Sequence, residues 1–175
     1  MPITRLLKTA EDSFLTVWRK INEELGCEVI YYSIIGRKNG EKYRQADKET
    51  LLAQSDFIFL HCPLSDLSGN FIDAEALEKM KNTAILINVA RGPVVNNVDL
   101  YHALTDGGIA AAGLDVLDQE PLRSSNPLSL IKDSSRLIIT PHLAWASVEA
   151  RTRCVMEVYE NIRAFMREDR NLIKP

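Results

Sequence analysis

The chain has no glycine in its first 25 residues and few cysteines anywhere. Its first glycine is Gly26, and its three cysteines, Cys27, Cys62 and Cys154, show neither CxxC nor Cys/His spacing. This scatter predicts reduced thiols in a cytosolic core rather than a disulfide framework or a zinc site. No apolar run approaches the roughly 18–20 residues of a membrane span, and no signal peptide is recognisable. We therefore expect a soluble, cytoplasmic protein.

An excess of charge of one sign is also lacking. The formal net charge of the 175 residues is -3, with 26% charged and 46% hydrophobic residues. This balance gives no electrostatic reason to expect a nucleic acid or a membrane surface as a partner. There is neither an internal repeat nor a Gly/Ser-rich linker, so we predict a single domain large enough to bury a core.

Apolar runs typical of buried strands alternate with segments of helical spacing. The predicted strands lie at about 29–32, 57–60, 84–89, 110–116 and 137–139. The predicted helices lie at about 9–25, 48–54, 73–80 and 97–106, and Ser147 is expected to cap a long amphipathic helix. Residues 34–47 are expected to form an exposed loop. The alternation predicts an α/β fold with a Rossmann-like, doubly wound parallel sheet.

Polar residues with chemical capability follow several of these strands. They are His61, Arg91, Asp115, Glu120 and His142. In open parallel sheets, ligands bind outside the carboxyl ends of the strands, so this placement favours a functional role for these residues.

Three of these residues form a chemically coherent set. The planar guanidinium of Arg91 can bind a carboxylate and a keto oxygen together, and His142 can transfer a proton near neutral pH. Glu120 beside an imidazolium would stabilise its charged form. Taken singly, each has an ordinary alternative: a solvated arginine in a turn, an exposed loop glutamate and a structural histidine. Together they match the requirements for reducing a 2-keto acid to a 2-hydroxy acid.

The sequence resembles the D-isomer-specific 2-hydroxyacid dehydrogenases from about Leu25 to Phe165. The segment from His142 to Ser147, with its Trp145, resembles the glycerate dehydrogenase/hydroxypyruvate reductase branch of that family. The segments that carry the family resemblance, in order, are Leu60-His61-Cys62-Pro63-Leu64, Asn88-Val89-Ala90-Arg91-Gly92, Ala112-Gly113-Leu114-Asp115-Val116 and Thr140-Pro141-His142.

The resemblance implies an oxidoreductase that transfers a hydride between NAD(P)H and a small 2-keto/2-hydroxy acid such as hydroxypyruvate/glycerate. Arg91 would orient the substrate, His142 would be the acid/base, and Glu120 would tune it. No metal is implied. NAD is the implied cofactor, and NADP is possible. The residues implied to bind the cofactor are Ser33, His61, Cys62, Pro63, Val89, Ala90, Arg91, Asp115, His142 and Ala144.

The sequence departs from the family at its start. The usual spacing places the three glycines of a GxGxxG loop at positions that here hold Ala10, Asp12 and Leu15. Glycines there let backbone N–H groups approach a pyrophosphate, whereas an acidic first turn favours the helix and opposes the phosphates. The preceding strand is reduced to about 3–7. We therefore predict a first strand and a glycine loop that are missing or degenerate.

The ribose position also differs from the family pattern. Ser33 stands where an acidic residue usually ends the second strand, and Arg37 and Lys38 follow it. A serine makes no charge-assisted bond to the ribose hydroxyls, so a 2′-phosphate is tolerable there.

In the family, about 100 residues that form most of the substrate domain come before the glycine loop, and this sequence lacks them. Residues 1–175 are therefore expected to form a single incomplete dinucleotide-binding domain, with a possible contribution to the substrate domain from about 150–175. Whether this chain alone binds NAD stays open. The alternative hypothesis is a non-enzymatic truncated paralogue or interaction module that folds without binding NAD unaided. A homodimer or a complementing N-terminal fragment is a possible partner.

Overall fold

A computed structural model describes residues 3–8, 23–36, 43–143 and 145–167. In these residues seven parallel strands form one sheet in the order β3-β2-β1-β4-β5-β6-β7. Their bounds are β1 Ile3–Lys8, β2 Glu28–Ser33, β3 Arg44–Gln45, β4 Phe57–His61, β5 Ile85–Asn88, β6 Ala111–Leu114 and β7 Leu137–Ile139. This strand order is that of a doubly wound sheet, so the predicted fold class is confirmed.

The apolar runs form the centre of the sheet because their side chains are buried. Ile58 and Leu60 of β4 and Leu86 of β5 have no exposed surface. They belong to one large core that continues into the helices through Leu77 and Leu100. Continuous burial of this kind is typical of parallel strands covered on both faces.

The prediction of a missing or degenerate first strand was wrong as regards the strand. β1 (Ile3–Lys8) is six residues long and pairs with β2 on one side and with β4 on the other. Pairing with two neighbours satisfies its backbone donors and acceptors, and this tertiary setting outweighs a weak local pattern. The positions of the expected glycine loop, 10, 12 and 15, lie outside the described residues.

The second difference lies in the segment expected to be a loop. Arg44 and Gln45 form β3, which extends the sheet beyond β2 by pairing with Ile30 and Tyr31. Two residues are too short to give a periodic signal, which explains why the sequence did not indicate this strand.

Helices α1 (Lys48–Gln54), α2 (Ala74–Glu78) and α3 (Asn97–Thr105) each begin after a side chain that accepts a backbone N–H. The capping residues are Asp47, Asp73 and Asn96. Two 3₁₀ turns, Gly92–Val94 and Pro127–Leu130, lie in the connections after β5 and before β7.

The chain divides into two compact units, residues 1–141 with the sheet and residues 142–175. The second unit contains α4 (Val148–Met166), which Ser147 caps as predicted. Its expected apolar face is strongly exposed, at Val155, Val158, Ile162 and Phe165. None of the helices in the described part of the chain has the length and hydropathy needed to cross a membrane.

Candidate functional site

The carboxyl ends of the strands lie along one edge of the sheet. Ser33 ends β2 and His61 ends β4, and both residues align with Lys8 of β1 in the register. Arg91 follows β5, and Asp115 follows β6 directly. Within the first unit, the strand-end residues indicated by the sequence therefore lie along this one edge.

Arg91 lies in a tight turn that starts at Asn88. The carboxamide of Asn88 is fully buried, and its two ends bond to the turn. Its Oδ1 accepts the N–H of Ala90 at 3.0 Å, and its Nδ2 donates to the carbonyl of Arg91 at 3.0 Å. The exposed guanidinium of Arg91 donates from Nη1 to the carbonyl of Ala90 at 2.6 Å. That single backbone contact leaves several of its N–H groups for a ligand.

Gly92 brings the Arg91 turn against the loop that follows β6. A Cβ at this position would lie 1.9 Å from the carbonyl carbon of Leu117 and 2.4 Å from the nitrogen of Asp118. Those distances are far inside van der Waals contact, so only glycine fits between the two backbones. The turn that carries Arg91 and the loop that leads to Glu120 are thus packed backbone to backbone.

Glu120 and Asp118 hold that loop through their carboxylates. Oε1 of Glu120 accepts the N–H of Leu117 at 3.0 Å, and the Glu120–Pro121 peptide is cis. Oδ1 of Asp118 accepts from Nδ2 of Asn97 at 2.7 Å and from Nδ2 of Asn126 at 3.2 Å. These bonds tie the loop to the start of α3 and to the second 3₁₀ turn.

Asp115 is buried at the end of β6. Its Oδ1 accepts the hydroxyl of Thr140 at 2.5 Å, and its N–H donates to the carbonyl of Asn88 at 2.9 Å. The carboxyl ends of β5, β6 and β7 are therefore bonded to one another.

Two titratable groups near the end of β4 are shifted by burial. Loss of solvation lowers the pKa of His61 to about 4, because the imidazolium is disfavoured away from water. The same cause raises the pKa of Cys62 to about 11. At neutral pH the imidazole of His61 and the thiol of Cys62 are therefore both uncharged, so neither side chain repels a charged ligand.

Ser33 provides a test of whether this edge suits a dinucleotide. The residue is 3% exposed, and its buried Oγ has no hydrogen-bond partner among the described residues. A buried hydroxyl without a partner costs free energy, and a ligand hydroxyl or phosphate oxygen would satisfy it. The sheet order and this hydroxyl fit a nucleotide whose ribose lies at the end of β2, which is the usual place for it in doubly wound sheets.

The remaining predicted residues fall into three groups. Pro63 is exposed and Val89 half-buried, each next to a strand end. His142 opens the second unit with a left-handed backbone, φ 55°, and a half-buried side chain. Ala144 lies outside the described residues. The pairing of Glu120 with His142 stays a prediction.

Sequence reasoning missed Asn88, Gly92 and Asp118 as parts of the site. Asn88 interrupts an otherwise apolar strand, and a buried carboxamide needs partners, so its position offered a signal. Gly92 packs against Leu117, and Asp118 bonds to Asn97, 21 residues earlier in the chain. No local sequence pattern shows these contacts. No group of three or more His, Cys, Asp or Glu side chains suited to a metal occurs in the part of the chain described.

Comparison with known proteins identifies the family. Residues 16–144 match the model of the D-isomer specific 2-hydroxyacid dehydrogenase, NAD binding domain. The match begins just after positions 10, 12 and 15 and includes Arg91, Glu120 and His142.

Curated relatives agree with this match. The chain is 44% identical over 144 residues to a glycerate dehydrogenase of Methylorubrum extorquens, covering 82% of this chain and 44% of that protein. It is 43% identical over 145 residues to a glyoxylate reductase of Korarchaeum cryptofilum, covering 81% of this chain and 43% of that protein. A hydroxypyruvate reductase of Blautia hydrogenotrophica is 39% identical over 150 residues. The chain thus spans less than half the length of these relatives.

Solved structures share the fold. The NAD-complexed D-isomer specific 2-hydroxyacid dehydrogenase of Lactobacillus delbrueckii ssp. bulgaricus has a TM-score of 0.82 at 28% identity, over 97% of this chain and 54% of that one. The D-lactate dehydrogenase of Lactobacillus jensenii with NAD+ has a TM-score of 0.82 at 27% identity, with the same coverage. From the family match, the identities and the sheet, we conclude that the chain belongs to the D-isomer specific 2-hydroxyacid dehydrogenase family and corresponds to its NAD-binding domain.

Proposed function

We propose that this chain serves the NAD(P)-dependent interconversion of a small 2-keto acid and its 2-hydroxy acid, of the glyoxylate or hydroxypyruvate class. The observation that carries the proposal is the joint placement of Arg91, Asp115 and Glu120 at the carboxyl edge of the sheet, within the region that matches the family. The similarity to a glyoxylate reductase, a glycerate dehydrogenase and a hydroxypyruvate reductase supports the substrate class.

In the proposed mechanism Arg91 binds the substrate. Its guanidinium forks onto the carboxylate and the keto oxygen, and a lysine cannot reproduce that geometry. The turn fixed by Asn88 and Gly92 holds the guanidinium at the edge before the substrate arrives, which reduces the entropy lost on binding.

Proton transfer is assigned to His142. In reduction its imidazolium gives a proton to the keto oxygen, and in oxidation the imidazole takes the proton from the hydroxyl. Glu120 stabilises the imidazolium through its carboxylate. The chemistry that NAD or NADP supplies when bound is hydride transfer to or from the carbon that bears this oxygen.

Residues along the edge would hold the cofactor. Ser33 would bond to the ribose at one end, while Asp115 and the Val89–Ala90 segment would line the nicotinamide end. His61, Cys62 and Pro63 would form the wall between them, with a neutral surface. For His142 and Ala144 a contact with the cofactor stays the expectation drawn from the family resemblance.

The test measures NADH oxidation with hydroxypyruvate and with glyoxylate. The chain is assayed alone and with the N-terminal half of a glycerate dehydrogenase as a complementing fragment, and NADH binding is measured by calorimetry. We expect turnover in the complemented format. Arg91→Lys raises KM by about tenfold or more because one arm of the fork is lost. His142→Gln lowers kcat by about 10²–10⁴-fold. Arg44→Lys, a substitution in β3, is the matched control and leaves both constants unchanged.

A second candidate function rests on Ala10, Asp12 and Leu15. Where family members have the glycines of a GxGxxG loop, these side chains would oppose the approach of a pyrophosphate, which favours a module that folds without binding a dinucleotide. Folded chain with neither turnover nor NADH binding, in both formats, supports this candidate and refutes the dehydrogenase.

A further inference from the structure

Asn88 is the last residue of β5, and the hydrogen bonds of its side chain go to the substrate-binding turn rather than to a neighbouring strand. It has no exposed surface, although asparagine is seldom fully buried. A carboxamide without partners in such a place would destabilise the fold. Its two hydrogen bonds both go to the backbone of the next three residues, so the burial serves the turn.

The orientation of this carboxamide is fixed by its surroundings. The N–H of Ala90 can only donate, and the carbonyl of Arg91 can only accept. Oδ1 must therefore face Ala90 and Nδ2 must face Arg91, at 3.0 Å each. The main-chain carbonyl of Asn88 accepts the N–H of Asp115 at 2.9 Å. One buried residue thus connects the strand to the backbone of Arg91 and to the end of β6.

We propose that Asn88 is a positioning residue for substrate binding: its carboxamide holds the backbone of Arg91 so that the guanidinium meets the 2-keto acid. The inference rests on the proposed function in that Arg91 binds the carboxylate. Asn88 itself does not touch the substrate and acts through the turn.

Two substitutions separate the two bonds. Asn88→Asp keeps an oxygen that accepts from Ala90 and removes the donor to Arg91, while placing a carboxylate against a carbonyl. Asn88→Ala removes both bonds. Ser55→Ala is the matched control, because Ser55 is equally buried and its hydroxyl bonds to the carbonyl of Leu51. Ser55 precedes β4, at the opposite edge of the sheet.

The first measurement needs no activity. Hydrogen exchange of the Ala90 amide is followed by NMR in the native chain and in the three variants. Asn88→Ala accelerates it by about tenfold beyond Ser55→Ala, whereas Asn88→Asp leaves it protected because the acceptor is retained. Equal exchange in Asn88→Ala and Ser55→Ala overturns the inference.

The second measurement titrates the chain, together with its complementing fragment, with hydroxypyruvate in the presence of NAD+, which cannot reduce it. Both Asn88 variants raise Kd by about tenfold, and Ser55→Ala changes it by less than about twofold. A normal Kd in Asn88→Asp refutes a role in holding Arg91. If the complemented native chain does not bind hydroxypyruvate, the proposed function fails, and the exchange of the Ala90 amide decides the inference about the turn.

Discussion

Replacing Gly92 by alanine gives the most direct test of the packing that joins the Arg91 turn to the Glu120 loop. The new Cβ would lie 1.9 Å from the carbonyl carbon and oxygen of Leu117, whereas ordinary contact begins at 3.4 Å. The two backbones must therefore separate by about 1.5 Å. Overpacking between rigid segments costs about 1–3 kcal/mol, and backbone against backbone belongs at the upper end.

For a chain of this length, a cost of about 3 kcal/mol lowers Tm by about 6–12 °C. Gly113→Ala is the matched control: its Cβ would meet only Cγ1 of Ile87, at 3.9 Å, and its Tm is expected within about 2 °C of the native value. Thermal unfolding followed by circular dichroism measures both variants. A Gly92→Ala Tm as high as that of Gly113→Ala refutes the close approach of the two loops.

Three further outcomes are expected. His61 is protonated near pH 6.5 in the unfolded chain and only near pH 4 in the folded chain, so the free energy of unfolding falls as the pH drops through this window. Urea titrations at a series of pH values should show that His61→Gln removes part of this fall. Burial keeps the thiol of Cys62 protonated up to about pH 11, so iodoacetamide at pH 8 labels the exposed Cys154 first. If mass spectrometry finds Cys62 labelled as fast as Cys154, Cys62 is not buried. Asn96→Ala removes the cap that accepts from Val98 and Asp99 and lowers the free energy of unfolding by about 1 kcal/mol, whereas Asn96→Asp retains most of it.

The sequence predicted those parts of the fold that rest on burial along one segment. The run 57–60 indicated β4 because a strand covered on both faces must be apolar throughout. In the same way the apolar runs before Arg91 and Asp115 form β5 and β6, so these two residues follow strand ends as expected. It indicated β1 only as a reduced strand at about 3–7, because the full strand depends on pairing with β2 and β4, which lie further along the chain.

The candidate site was predictable in its reactive groups and not in its supports. An arginine or a histidine after a predicted strand indicates a possible chemical role through its residue type alone. Asn88 supports the turn through hydrogen bonds from its side chain to the backbone, and Gly92 supports it through a close approach to Leu117. Both kinds of support depend on distances in three dimensions, which the sequence does not show. The shift in the pKa of His61 likewise follows from burial, which periodicity does not reveal.

The strand order has a consequence for how the polypeptide folds during its synthesis. From β4 to β7 the spatial order equals the order along the chain, so each strand that leaves the ribosome can join the free edge left by the one before. His61, Arg91, Asp115 and Glu120 would then reach the growing edge one after another. In that order the bond from Thr140 to Asp115 would form last, so the pairing of β7 with β6 would complete this edge.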